Sequence, residues 1–147
     1  MKLLHDSIIK SIAIAIGIFV VGVGEDSNSL SVFAQTKIDG TVRETISGLS
    51  GGSVDSKGCG FIANTPNHTF NIPERVDYMR LTLQTSGGQP TLLVLGPKPE
   101  DRFCVLGEAS RLQPEISGVW EAGKYQIYVG DRLGENYQFT LDISTRN

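Results

Sequence analysis

Two runs of alternating apolar and polar residues near the C-terminus constrain the fold more than any other feature of the chain. Residues 124–130 and 136–144 are rich in strand-favouring side chains, and a polar turn containing Gly134 separates them. The apolar set recurs at every second position and comprises Tyr125, Ile127, Val129, Tyr137, Phe139, Leu141 and Ile143. Because successive side chains of a strand point to opposite faces, this period predicts strands with one buried face. We expect an antiparallel hairpin of an all-β domain.

Further runs of the same kind precede this pair along the chain. They cover residues 59–63, 68–72, 76–85, 91–95, 103–106 and 115–120. The run at 91–95 is apolar almost throughout, which predicts a central strand covered on both faces. No run after residue 34 has a useful length of helical periodicity. Short strands at this spacing predict two antiparallel sheets packed as a β-sandwich.

The first 34 residues have the pattern of an export signal. Lys2 and Lys10 give a positive start, residues 12–24 are apolar or small, and small residues end the segment at Ala34. The apolar run is shorter than the ~20 residues that span a bilayer as a helix. We therefore expect a signal peptide over 1–34, cleavage after Ala34, and a secreted or periplasmic protein. An uncleaved membrane anchor is the alternative, since the region before the cleavage point is long and acidic.

The chain after the export signal divides into two parts by composition. Residues 35–58 are polar and contain a Gly/Ser cluster at 47–53, which predicts a linker or a long loop. A short strand over 41–46, with Val42 and Ile46 facing inward, stays open as an alternative for part of it. Residues 59–147 are then the β-sandwich domain, and this length suffices for one core.

Cys59 and Cys104 are the only two cysteines of the chain. In an oxidising compartment an isolated pair most simply forms one disulfide. Closing a loop of this length contributes roughly 4 kcal/mol in the chain-entropy model. Two buried free thiols are the alternative. A zinc site is disfavoured, because neither cysteine has a histidine or a second cysteine nearby in sequence.

The charged residues exclude two classes of partner. The chain has 13 Lys+Arg and 16 Asp+Glu, a net charge of −3, and the basic residues are scattered. Nucleic-acid binding needs grouped cations to neutralise phosphates, and binding to an anionic membrane surface needs them equally. We expect no nucleic-acid partner, and no membrane contact beyond the N-terminal segment.

Catalysis has little support in the sequence. His68 is the only histidine after the export signal, and the cluster around Ser50 lacks the G-x-S-x-G spacing of a nucleophile turn. The acidic residues lie mostly in turns or beside basic residues, rather than as a pair facing across a cleft. The turn at 131–135 lacks the spaced Asp/Asn ladder of a calcium loop. We therefore predict no enzyme, metal or cofactor; a small secreted hydrolase using His68 is a remote alternative.

Three aromatic residues are candidates for a ligand-binding surface. Tyr78 and Tyr128 fall on the predicted outer faces of their strands, and Trp120 precedes a turn. Flat apolar rings of this kind can stack on sugar rings. The alternative interpretation is that Trp120 is a residue at the core edge and that the two tyrosines merely cover sheet surface.

The C-terminal half of the chain resembles a known family. Residues 81–83, a Gly-rich turn, the apolar run with its Gly-Pro end at 91–97, and Ala-Gly-Lys-Tyr-Gln-Ile-Tyr-Val at 122–129 follow in that order. This succession is similar to the bacterial pre-peptidase C-terminal domain over about residues 68–143. The resemblance implies a jelly-roll-like β-sandwich of the kind appended to secreted proteases and other exported proteins. It also implies a non-catalytic role.

One departure from the family bears on metal binding. Family members often carry an aspartate just before the central strand, where this chain has Gln-Pro-Thr at 89–91, so a calcium site built on that residue is not implied. The sequence as a whole predicts an exported, non-catalytic binding or accessory module for a protein or polysaccharide partner. The alternative is an envelope-anchored structural or interaction protein that keeps its N-terminal helix.

Overall fold

A computed structural model describes residues 35–38, 41–107 and 113–145 of the chain. The predicted export signal and its cleavage point at Ala34 lie outside the described residues. Within the described ranges, no helix is long and apolar enough to cross a membrane.

The described residues form strands and no helix. The strands are β1 (Gln35–Lys37), β2 (Arg43–Leu49), β3 (Val54–Asp55), β4 (Phe61–Ile62), β5 (His68–Ile72), β6 (Val76–Thr85), β7 (Pro90–Leu95), β8 (Arg102–Leu106), β9 (Glu115–Trp120), β10 (Gly123–Asp131) and β11 (Gln138–Ser144). Strands β5, β6 and β9 have the bounds that the alternation predicts. The predicted all-β class is confirmed.

The strands form two sheets. In sheet A, β10 is central: β5 and then β1 lie on one side, β7 and then β8 on the other, while β4 and β3 pair at the end of β10. Sheet B has the order β2-β11-β6-β9. Among the described strands, only β1 and β5 pair in parallel. The two sheets pack face to face as the predicted sandwich.

The core lies between the two sheets and consists of the alternating residues of both. Its fully or almost fully buried members are Ile38, Phe70, Ile72, Met79, Leu81, Leu83, Leu92, Val94, Trp120, Tyr125, Ile127, Val129, Phe139, Leu141 and Ile143. Burying one such aliphatic or aromatic side chain contributes about 1.5–3 kcal/mol relative to exposure. The buried faces predicted for β6, β10 and β11 are therefore correct, except at Tyr137, which precedes β11 and is not part of this core.

The predicted hairpin of the last two strands is wrong. Strand β10 pairs with strands of sheet A, whereas β11 pairs with β2 and β6 in sheet B. The connection after Asp131 is longer than a two-residue hairpin loop, and it carries the chain from one sheet to the other. Both strands still bury alternate side chains, because they face each other across the core. Period-2 alternation reports a buried face and does not identify the neighbouring strand.

The segment 35–58 is not a linker or loop as a whole. Within it, β2 pairs along its full length with β11, in keeping with the strand alternative. The small residues serve close packing rather than flexibility. A Cβ added at Gly48 would lie 2.9 Å from the Phe139 ring, and one at Gly51 would lie 2.1 Å from the Glu135 carbonyl oxygen. Glycine is required at both contacts because no side chain fits there.

The predicted disulfide between Cys59 and Cys104 is confirmed, with 5.9 Å between the two Cα atoms. It ties the segment before β4 to β8. Cys59 packs with Ile62 and Leu93 in a second, small apolar cluster on the outer side of β7. This cluster, together with the main core, covers β7 on both faces, as its apolar run predicts.

Candidate functional site

The structure does not bring the three candidate aromatic residues together. Trp120 is 5% exposed and belongs to the core, where its Nε1 donates a hydrogen bond to the Met79 carbonyl oxygen at 3.0 Å. Its ring meets the Tyr125 ring edge-on, with 5.1 Å between centroids. A buried indole with a satisfied N–H supports the core-edge interpretation of this residue.

The two tyrosines lie on opposite outer faces of the sandwich. Tyr78 is partly exposed on β6, and its side chain leaves sheet B on the side away from Met79. Tyr128 is partly buried on β10 in sheet A, where it packs against the cluster of Cys59, Ile62 and Leu93. A single platform made from both residues is therefore not formed.

The outer face of sheet B carries a groove with a volume of about 540 Å³. We call it the polar groove, and it is lined by Thr41, Val42, Arg43, Arg80, Thr82, Glu115, Asp142, Ile143 and Ser144. The inner strands β11 and β6 and the edge strands β2 and β9 supply these residues in fixed register, apart from Thr41 and Val42, which precede β2. Because β11 and β6 are paired on both sides, the floor of the groove is held by a complete ladder of backbone hydrogen bonds.

The groove has one cationic row of side chains. Ser144 on β11 is in register with Arg43 on β2 and with Arg80 on β6. The two arginines therefore flank Ser144, with their Cα atoms about two strand spacings, or roughly 10 Å, apart. Neither guanidinium makes an ion pair or side-chain hydrogen bond with the described residues.

The neighbouring row of the groove is anionic. The Thr45 hydroxyl donates a hydrogen bond of 2.6 Å to Asp142 Oδ1, and Asp142 stands opposite Thr82 in the register. The Thr82 hydroxyl in turn donates to Glu115 Oε2 at 3.4 Å. Each carboxylate thus has a hydroxyl partner on an adjacent strand and retains oxygen lone pairs that can accept further hydrogen bonds.

A smaller cavity of about 180 Å³ lies at the side of the sandwich, between the edge strands β8 and β9. We call it the edge cavity, and Trp120 and Tyr125 line it from inside. Phe103 and Val119 stand at its rim with about half of their surface exposed. Burial raises the pKa of the Tyr125 hydroxyl, which donates to the Glu121 carbonyl oxygen at 3.0 Å, so this group is a neutral donor.

His68 and Ser50 do not form the pair that a hydrolase needs. The His68 side chain is 9% exposed, and its Nε2 lies 3.9 Å from Glu44 Oε2. Burial lowers the pKa of His68, and the Glu44 carboxylate partly offsets this effect. The Ser50 hydroxyl oxygen is buried and accepts a hydrogen bond from the Tyr137 backbone N–H at 3.1 Å. Ser50 fixes a chain crossing rather than activating a nucleophile.

The turn after β10 is organised by a buried carboxylate. Asp131 is 1% exposed; its Oδ2 accepts from Gln89 N at 2.7 Å and its Oδ1 from Leu133 N at 2.8 Å and Glu135 N at 3.3 Å. These backbone donors satisfy the charge in a structural turn. Among the described residues, no group of three or more His, Cys, Asp and Glu side chains is placed to hold a metal ion.

Sequence reasoning missed the arginine row. Arg43 falls in the segment that composition marks as a linker, and Arg80 is 37 positions further along the chain. The two residues become neighbours only because β11 pairs with both β2 and β6. Arg80 did have a signal in the sequence, since it alternates with the buried Met79 and Leu81 and so lies on an outer face.

Comparison with known proteins gave one relative in sequence. No family model matches the chain. An uncharacterized protein of Synechococcus elongatus is 39% identical over 122 residues, which cover 80% of this chain and 87% of that protein.

The fold is similar to that of solved structures. The pre-peptidase C-terminal domain of a Bacillus anthracis collagenase superposes with a TM-score of 0.51 at 17% identity, over 74% of this chain and 93% of that domain. The resemblance expected from the sequence is thereby confirmed at the level of fold. The periplasmic inhibitor of g-type lysozyme from Aeromonas hydrophila matches at a TM-score of 0.39 and 15% identity, over 75% of this chain and 94% of that chain.

Proposed function

The chain belongs to the same family as the uncharacterized Synechococcus elongatus protein; from its own fold and groove we propose that it is a non-catalytic binding module that works outside the cytoplasm. The polar groove is its binding surface for a polysaccharide or protein partner. The observation that carries this proposal is the groove itself: a cavity of about 540 Å³ on a rigid sheet, with two arginines that no described side chain neutralises.

Two observations support a place outside the cytoplasm. The disulfide between Cys59 and Cys104 is of a kind that persists in oxidising compartments and is rare in the cytosol. The N-terminal segment has the pattern of an export signal. We therefore propose that the protein is secreted or periplasmic, as its sequence predicts.

The polar residues of the described chain support binding rather than catalysis. Ser50 and Asp131 are engaged by backbone N–H groups, and His68 is withdrawn from solvent. The groove holds arginines, hydroxyls and carboxylates, which recognise polar ligands. Its chemistry therefore suits a ligand that is held and released unchanged.

Blocking the groove tests the proposal. Thr82 lies on the groove floor with its side chain outward, so Thr82→Trp fills the groove without entering the core. We expect the wild type, immobilised on beads, to retain components of the extracellular and envelope fraction of its producing cells, and Thr82→Trp to lose them. Captured components are identified by mass spectrometry and by glycan composition.

Gln84→Trp is the matched control. Gln84 lies on the same strand and the same outer face, two positions from Thr82, and it does not line the groove. The control carries the same new indole and should capture what the wild type captures. Equal capture by Thr82→Trp and Gln84→Trp would show that the groove is not the binding surface. Conversion of a captured component during the assay would contradict the non-catalytic role.

A further inference from the structure

We propose that the polar groove binds an acidic polysaccharide whose repeating unit carries both a carboxylate and free hydroxyls, such as a uronic acid. This inference rests on the proposed function and names the ligand class of the same groove. The carboxylate lies between Arg43 and Arg80, and the hydroxyls face Asp142 and Glu115.

The cationic row supplies the anion site. Arg43 and Arg80 lie on the two strands that pair with β11, both in register with Ser144, and neither has an ionic partner among the described residues. Arginine presents a planar fork of donors that matches a carboxylate in a bidentate geometry. Arg80 is partly exposed and Arg43 is exposed. A bound anionic group between the two arginines would neutralise positive charge in this row.

The anionic row decides what kind of anion enters. Asp142 and Glu115 lie one row further along the same face, held by the hydroxyls of Thr45 and Thr82. Free carboxylate oxygens accept hydrogen bonds from sugar hydroxyls, and they repel a second negative charge placed beside them. A polymer that alternates carboxylates with hydroxyls fits both rows. A densely charged sulfated or phosphorylated polymer meets repulsion at the second row.

The position of the groove favours a sugar chain over an extended peptide. An extended peptide gains most of its affinity by adding a strand to a free sheet edge. The groove floor is made by β11 and β6, whose backbone groups are already paired on both sides. Tyr78 is partly exposed on the same outer face of β6 as Arg80, two residues earlier, although it does not line the groove. A sugar chain that extends beyond Arg80 would have this ring available for stacking.

Titration calorimetry of the disulfide-bonded protein with four polymers tests the inference. Polygalacturonate carries carboxylates and hydroxyls, neutral galactan only hydroxyls, polyglutamate carboxylates on a peptide, and dextran sulfate dense sulfates. We expect polygalacturonate to bind most tightly at low ionic strength, and its affinity to fall as salt is added, because dissolved ions screen the attraction between its carboxylates and the two arginines at the protein surface. Arg80→Ala and Arg43→Ala should each weaken its binding about tenfold or more.

Arg132→Ala is the matched control, since it removes the same charge from an exposed residue of the turn after β10, away from the groove. It should bind polygalacturonate as the wild type does. Arg80→Lys should recover only part of the affinity, because lysine keeps the charge but loses the fork. Thermal unfolding of each variant is measured alongside, so that a loss of binding is separated from a loss of folded protein.

Other outcomes overturn the inference. Equal or tighter binding of polyglutamate would assign the groove to an acidic peptide, and equal or tighter binding of dextran sulfate would contradict the role of the anionic row. Equal effects of Arg132→Ala and Arg80→Ala would show that the binding depends on the net charge of the protein and not on the groove. If polygalacturonate does not bind but Thr82→Trp abolishes capture from the envelope fraction, the ligand class is wrong and the proposed function stands. If neither polygalacturonate binding nor capture from the envelope fraction depends on the groove, the inference and the proposed function are both wrong.

Discussion

Substitutions of single side chains on β11 are the most direct test of which face of a strand lies on the core. Phe139 is 3% exposed, and its ring fills the space that Gly48 leaves open on the neighbouring strand. Phe139→Ala should cost roughly 3–5 kcal/mol in the free energy of unfolding, because it leaves a cavity that Gly48 cannot fill. Urea denaturation followed by Trp120 fluorescence measures it.

Thr140→Ala is the control for that substitution. Thr140 is one position along the same strand, and its side chain is directed away from the core. Its removal should change the free energy of unfolding by about 0.5 kcal/mol or less, apart from lost β-propensity. A larger loss for Thr140→Ala than for Phe139→Ala would invert the assignment of the two faces.

Asp131 fixes the connection between the two sheets. Asp131→Ala would leave the backbone N–H groups of Gln89, Leu133 and Glu135 without their carboxylate acceptor. We expect a loss of about 1–3 kcal/mol in the free energy of unfolding, the penalty for unsatisfied donors in a mostly buried place. Asp77→Ala removes an exposed carboxylate with one surface ion pair to Arg75, and it should cost far less. Equal losses in the two variants would contradict this structural role.

His68 should make stability depend on pH in a defined direction. Burial lowers its pKa in the folded protein below the ordinary value of 6.5, so the unfolded chain binds the proton more readily. Stability is therefore lost as pH falls below about 6.5 and is complete above it. His68→Gln should reduce this acid sensitivity, and the difference in unfolding free energy between the two proteins should change between pH 7.5 and pH 5. A difference that does not vary with pH would contradict the lowered pKa.

For individual residues, the sequence predicted burial well but predicted the residues of the candidate site less well. The inward positions of β6, β10 and β11 follow from alternation alone, since any strand against a core must repeat every second residue. Trp120 was open between core edge and ligand surface because its neighbours in the fold decide that, and two of them, Met79 and Phe70, are distant in sequence. The arginine row was not predicted, because it requires the register of three strands.

Elements of secondary structure are held together on one side of the molecule by the disulfide. It joins β8, which among the described strands pairs with β7 alone, to the segment that precedes β4. Cys104→Ser should cost about 2–5 kcal/mol, the usual range for a native bridge of a small secreted domain. Mass analysis of the wild type under non-reducing conditions should show the oxidised pair. Free thiols in folded, exported protein would contradict the bridge.

For elements of secondary structure, Gly- and Ser-rich composition is the most misleading feature of the sequence. The cluster at 47–53 has the composition of a linker, yet β2 is an integral strand of sheet B. Its glycines are dictated by Phe139 and by the Glu135 carbonyl oxygen, both of them about 90 positions away. Composition measures local conformational freedom and carries no information about such a distant partner.

The chain as a whole should be exported and shortened. The positive start, the short apolar run and the small residues up to Ala34 predict removal of the first 34 residues. N-terminal sequencing of the protein recovered outside the cytoplasm should begin at Gln35 or within a few residues of it. Recovery of the intact Met1 start from a membrane fraction would instead favour the anchored alternative.

What the sequence by itself determined is the class of structure and the buried faces. Alternation, turn residues and the isolated cysteine pair are local or nearly local signals, so they predicted the strands, the sandwich and the disulfide without knowledge of the topology. The tertiary structure alone decided that β10 and β11 lie in different sheets, that β2 joins β11, and that Arg43 and Arg80 share one groove. Strand partners are chosen by packing between residues that are far apart in the chain, and a period of two residues is the same whichever partner is chosen.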